Sequence, residues 1–170
     1  LLFAMTSCED FLYQEPRLQQ TNELSLASYD GLQKATLGTY TPLYEPEWYG
    51  QEFVIIGDLK GGNAKISPLN SGRFRNAFLW NYTPSNGPTG WNYMYRLIAR
   101  ANNIINVIED GFEEPGVSQE ELEVLVAECK FLRGLAHFDL ARLYCQPYSS
   151  GTTQLGVPIM LTSEIGQPER

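Results

Sequence analysis

The chain has 170 residues, 43% of them apolar and 19% charged, which suits one domain long enough to bury a core. A net charge of −8 and the lack of any basic run argue against nucleic acid as a partner, because a phosphate backbone selects clustered Lys and Arg. The same acidity argues against a polybasic membrane patch, and no internal segment reaches the roughly eighteen apolar residues of a spanning helix, so any membrane attachment has to be covalent.

The chain opens LLFAMTSCED. An apolar stretch ending in small residues is how a secretory signal peptide finishes, and a cysteine directly after it suggests a bacterial lipoprotein cleaved before Cys8 and acylated on it. On these residues alone Cys8 also reads as a buried thiol near the frayed start of a globular domain. Residues 1–7 are therefore expected to be a signal-peptide remnant and 8–27 a tether, for Pro16 and several Gln and Asn interrupt any sustained period there.

SYDGLQKATLGTYTPLY (28–44) predicts a first helix, with Ser28 as N-cap, Asp30 in the first turn, and Pro42 and Pro46 ending it. Residues 45–90 differ in kind. Seven glycines are interleaved with four prolines, which predicts a long irregular region of the sort that carries function. GDLKGGN within it lacks the strand–GxGxxG–helix context and the Walker spacing, so it does not read as a nucleotide loop.

WNYMYRLIARANNIINVIEDG (91–111) is an amphipathic helix, whose stripe Trp91, Tyr95, Ile98, Ala101, Ile105 and Ile108 is expected to be core. VSQEELEVLVAECKFLRGLAHFDLARLYCQPY (117–148) predicts the next, opened by the capping box Ser118–Glu121 and stopped by Pro147. Its second apolar side, Phe131, Leu135 and Phe138, suggests cover from two directions. The two helices make a hairpin of the kind stacked in tetratricopeptide-type arrays, although that consensus is not legible. QLGVPIMLTSEIGQPER (154–170) is expected to be extended.

Cys129 and Cys145 would lie about 24 Å apart on one continuous helix, beyond disulfide reach, and read as small buried apolar residues. With a single histidine and no CxxC or HExxH, no metal site and no cofactor are expected. His137 reads as a satisfied interior histidine, Asn102 and Asn103 as backbone-bonding residues, and Glu113, Glu114, Glu120, Glu121 and Glu123 as solvated charge.

Taken in order, SCEDF, SYDGLQKATLGTY, WNYMYRLIARANNIINVI, AECKFLRGLAHFDLARLYCQPY and LGVPIMLTSEIGQPER resemble the SusD/RagB family of outer-membrane nutrient-binding lipoproteins. The most specific elements are Ala127, Glu128, Lys130, Phe131, Leu132, Arg133, Leu135, Phe138, Asp139 and Leu140, followed by Leu155 to Pro158. The resemblance implies a mainly α fold of tetratricopeptide-like hairpins with a loop-rich region above them, of which 28–170 would be the N-terminal, incomplete part. It implies a lipid on Cys8, a place on the outer surface of the outer membrane, and a SusC-type TonB-dependent transporter as partner. It also implies capture of oligosaccharides such as starch, without catalysis.

Sugar rings bury their C–H faces on aromatics and give their hydroxyls to amides, carboxylates and guanidinium groups. The expected platforms in 45–90 are Trp48, Trp80 and Tyr82, with Asp58, Asn63, Arg73 and Arg75 as hydroxyl partners. A helical-repeat adaptor, a peptide-uptake lipoprotein and a glycoside hydrolase stand as alternatives, the last without an evident carboxylate pair.

Overall fold

The computed structural model describes residues 22–162 apart from 84 and 152; Cys8, residues 1–7 and most of the expected tether lie outside the described residues. The molecule is mainly helical, as expected, and no strand occurs among the described residues. In chain order the helices are α1 (Asn22–Ser25), α2 (Tyr29–Thr39), α3 (Glu52–Lys60), α4 (Arg75–Phe78), α5 (Trp91–Glu109) and α6 (Gln119–Tyr144), with 3-10 turns at Thr41–Tyr44 and Tyr148–Ser150.

Helix α2 starts where expected. The Ser28 hydroxyl accepts from Gly31 N–H at 3.1 Å, and Tyr29 N–H donates to Glu114, which the sequence had left in solvent. The α-helix stops at Thr39 and tightens into the 3-10 turn, because Pro42 cannot donate to the carbonyl four residues back. That carbonyl, on Gly38, accepts from Arg100 Nη1 at 2.9 Å.

Helices α5 and α6 form the antiparallel hairpin, with Ile108 packing near Leu122 at one end and Trp91 against Tyr144 at the other. The capping box is formed: Glu121 N–H donates to the Ser118 hydroxyl, and Ser118 N–H to the Glu121 carboxylate at 2.9 Å. Those bonds, first the one from the backbone, hold the Glu121 carboxyl below its ordinary range. One core cluster joins Leu26 and Leu32 to Ile104, Ile105, Leu125 and Cys129. A second joins Trp48 to Met94, Leu97, Ile98, Leu132 and Leu140. Filling these two clusters with large side chains fixes how the helices meet, since each buried Leu or Ile contributes about 2 kcal/mol.

Three expectations change. Trp91 is 38% exposed and Tyr95 half-buried, because the buried face of α5 is centred on Met94, Leu97 and Ile98 and leaves the two aromatics at its edge. Phe131 and Phe138 are exposed, so α6 is covered from one side among the described residues. Region 45–90 is not wholly irregular: EFVIIGDLK forms α3, whose apolar residues do not line up on one face and so gave no helical period.

The extended segment 154–162 is strapped across the hairpin by side chains reading its main chain. Tyr95 OH donates to Pro158 O at 2.8 Å, and Arg133 Nη1 to Leu161 O at 3.1 Å. Asn102, fully buried, donates to the carbonyls of Met160 and Thr162 and accepts from Arg133 at 2.8 Å. The asparagine does bond backbone, but backbone far along the chain.

Candidate functional site

Region 45–90 sits on the hairpin through two anchors. At its start Trp48 is 0% exposed and Tyr49 lies against it; their N–H and O–H both reach Asp139 Oδ2, at 3.0 and 2.6 Å. Burial, then the bond to Asp139, pushes the Tyr49 hydroxyl up to about 12. At its end the Tyr144 hydroxyl reaches the carbonyls of Pro88 and Thr89, at 2.6 and 3.2 Å. Gly90 then opens α5 at φ 88°, and a Cβ there would lie 3.0 Å from Glu47 O and from Met94 Cε, so only glycine fits without a shift.

Between the anchors the chain builds a crest. Helix α3 carries Lys60 in its last turn, where a cation suits the negative end of the helix dipole. Polar side chains close the turns that follow: Ser67 Oγ accepts from Leu69 N–H at 3.2 Å and Asn70 Oδ1 from Gly72 N–H at 2.6 Å. Helix α4 is one turn long and is pinned by the buried methyl of Ala77. Phe74 and Trp80, one on each side of it, have φ of 58° and 56°. Bulky residues rarely enter the left-handed region, at a cost of about 1–2 kcal/mol each, so both rings are held where the chain would not place them spontaneously.

The crest aligns cations with rings. Lys60 Nζ lies 5.2 Å from the Trp80 ring centre and 4.4 Å from that of Tyr82, while the Arg73 guanidinium lies 5.3 Å from Phe74. Arg73 also donates to Gln51 Oε1 at 3.3 Å. Beneath the crest a cavity of about 190 Å³ is lined by Glu52, Phe74, Arg75, Asn76, Tyr82 and Asn86 among others. The Tyr82 hydroxyl is buried and makes no hydrogen bond among the described residues, so what Tyr82 offers to the cavity is its ring. Arg75 also lines a neighbouring cavity of about 290 Å³ with Ser67, Asn70 and Phe78.

Of the residues expected from sequence, Trp80, Tyr82, Arg73 and Arg75 come together. Asp58 and Asn63 are exposed near the end of α3, and no hydrogen bond or ion pair joins their side chains to the crest among the described residues. Trp48 is corrected: fully buried, stacked on Tyr49, clustered with residues of α5 and α6 and with its N–H on Asp139, it offers no surface to a sugar. Sequence reasoning missed Lys60, Phe74 and the anchor Asp139. For Lys60 a signal existed: the fifty residues between Asp58 and Glu109 contain no Asp or Glu but six of the twelve Lys and Arg.

No group of three or more His, Cys, Asp or Glu able to hold a metal occurs among the described residues, and no described helix is long and apolar enough to cross a membrane. Cys129 and Cys145 are free; Cys129 is buried as expected, Cys145 half-buried.

The sequence matches, over residues 10–167, the SusD-like family described as starch-binding and associating with the outer membrane. A curated SusD-like protein of Formosa agariphila is 27% identical over 154 residues, which is 85% of this chain and 28% of that one. A SusD superfamily structure from Bacteroides thetaiotaomicron superposes with a TM-score of 0.67 at 29% identity, over 80% of this chain and 31% of its own. One from Bacteroides vulgatus gives 0.67 at 27% identity, over 76% and 30%. The chain thus spans less than a third of the length of these relatives.

Proposed function

The chain belongs to the SusD-like family, and from that premise we propose that it is the N-terminal, 28–170 helical part of a cell-surface lipoprotein that captures oligosaccharides for a SusC-type TonB-dependent transporter, without catalysing their hydrolysis. The observation that carries the binding role is Trp80, 63% exposed at φ 56° and paired through Lys60 with Tyr82, which lines the cavity. An exposed indole held in a costly backbone conformation is explained by a use for its face, and C–H faces of sugar rings are what such a face buries. The hairpin acts as a shelf: Asp139 and Tyr144 fasten both ends of the region that carries the crest.

Attachment follows from the same reading. Acylation of Cys8 supplies more than one chain, which stable anchoring requires, and Glu9 and Asp10 fit a surface-export signal after the cysteine.

Affinity electrophoresis of the full chain through gels carrying a panel of polysaccharides tests the binding role. Retardation by at least one glycan, reduced by Trp80→Ala or Tyr82→Ala, is expected, with no release of reducing sugar. Absence of retardation by every glycan would overturn the reading in favour of peptide uptake or an adaptor, and steady release of reducing ends would make the protein a hydrolase.

A further inference from the structure

Resting on the glycan-binding reading of the same site, the structure points to the class of glycan: we propose that the crest selects an anionic one, bearing carboxylate or sulfate groups, over a neutral glucan. Four of the six cations in the acid-free stretch belong to the site's own region, namely Lys60, Lys65, Arg73 and Arg75. None of the four makes an ion pair among the described residues; the recorded pairs are Lys34–Asp30, Lys130–Glu109 and Arg142–Asp139. The region also carries Glu45, Glu47, Glu52 and Asp58, so what marks the site is not net charge but cations that no carboxylate pairs, Lys60 and Arg73 lying instead over rings.

The placement of Lys60 adds a second reason. Its ammonium occupies one face of both Trp80 and Tyr82. A neutral sugar stacking on that face has to displace the cation and leave it with water. A uronate or sulfated sugar instead brings an anion to it, keeping the ring–cation contact and adding a charge-assisted hydrogen bond. Arg75, in the walls of both neighbouring cavities, offers a planar fork to a second anionic group. Glu52 is the one carboxylate in the cavity wall and suits ring hydroxyls. The site therefore combines anion and hydroxyl recognition, as an acidic glycan requires.

Titration calorimetry of the full chain compares galacturonate oligomers, dextran sulfate, malto-oligosaccharides and inorganic polyphosphate at low and high salt. The carboxylated or the sulfated glycan is expected to bind at least about fivefold more tightly than the neutral one, with the margin shrinking in high salt. Which of the two binds better identifies the anion. Lys60→Gln and Arg75→Gln, both on the surface, should each weaken the anionic ligand by about fivefold, while Lys130→Gln on the hairpin leaves it unchanged. Equal or tighter binding of malto-oligosaccharide overturns the anionic preference and leaves glycan capture standing; polyphosphate binding as tightly as the acidic glycans also overturns it, as mere ion exchange. Failure of every saccharide to bind removes the glycan reading itself.

Discussion

Trp48 and Asp139, ninety-one positions apart, meet in the core: the indole N–H donates to Oδ2 at 3.0 Å, and both side chains are fully buried. The carboxylate also takes the Tyr49 hydroxyl on Oδ2 and lies 3.5 Å from Arg142 Nη1 through Oδ1, so a buried charge is compensated from three sides. Asp139→Ala strands the buried Trp48 donor and releases the Tyr49 hydroxyl and should cost about 3 kcal/mol, while Asp139→Asn, which still accepts, should cost about 1 kcal/mol. Urea unfolding midpoints check the order; equal losses for the two variants would refute this anchoring role.

His137 holds the strap through a fixed tautomer. Met160 N–H, which can only donate, points at Nε2 from 3.1 Å, so the ring proton lies on Nδ1 and donates to Arg133 O at 2.9 Å. Protonating Nε2 would set two donors face to face. Burial, reinforced by the Arg133 charge, holds the imidazole below its ordinary 6.5, against the opposing effect of the Arg133 carbonyl. Because the folded value is the depressed one, its contribution to stability is complete above about pH 6.5 and is lost as pH falls through the folded value. Protection of the Met160 amide, its exchange taken relative to the intrinsic rate at each pH, should fall over that interval, and His137→Gln, whose amide oxygen can still accept, should flatten the dependence.

Cys129 is enclosed beside Thr36, and burial pushes its thiol up to about 11. With so little thiolate near neutrality, it should resist iodoacetamide in the folded chain, whereas half-buried Cys145 should react first. Peptide mapping after timed alkylation distinguishes them, and faster labelling at Cys129 would contradict the burial. Both should label at equal rates once the chain is unfolded.

How much of this was legible in the sequence depended on whether the signal was local. Ser28, the Ser118–Glu121 box and the 3.6-residue period of α5 and α6 act within a turn or two, and all three elements stand where the sequence placed them. Trp48 looked like a loop aromatic because nothing near it in sequence announces Asp139, and a contact ninety-one residues away leaves no periodicity. The same holds for Asn102 and His137, whose partners are main-chain atoms of 158–162. Within the crest, residue type identified Trp80, Tyr82, Arg73 and Arg75, but their alignment depends on left-handed backbone at Phe74 and Trp80, residues whose side chains disfavour it.

That backbone conformation gives the clearest separation of stability from function. Trp80 is mostly exposed, so its ring buries little, while its φ of 56° is one that only glycine adopts freely. Trp80→Gly should release about 1 kcal/mol of strain, offset in part by the added entropy of the unfolded chain and by the lost contact with Lys60. The unfolding midpoint should therefore stay level or rise slightly, while glycan retention falls about tenfold with the stacking face gone. Were Trp80 only a packing residue, the variant would show the opposite pattern, a lowered midpoint with retention intact. Phe74→Gly at φ 58° provides the comparison: its ring is half-buried, so relief of strain there should be outweighed by lost packing and the midpoint should drop.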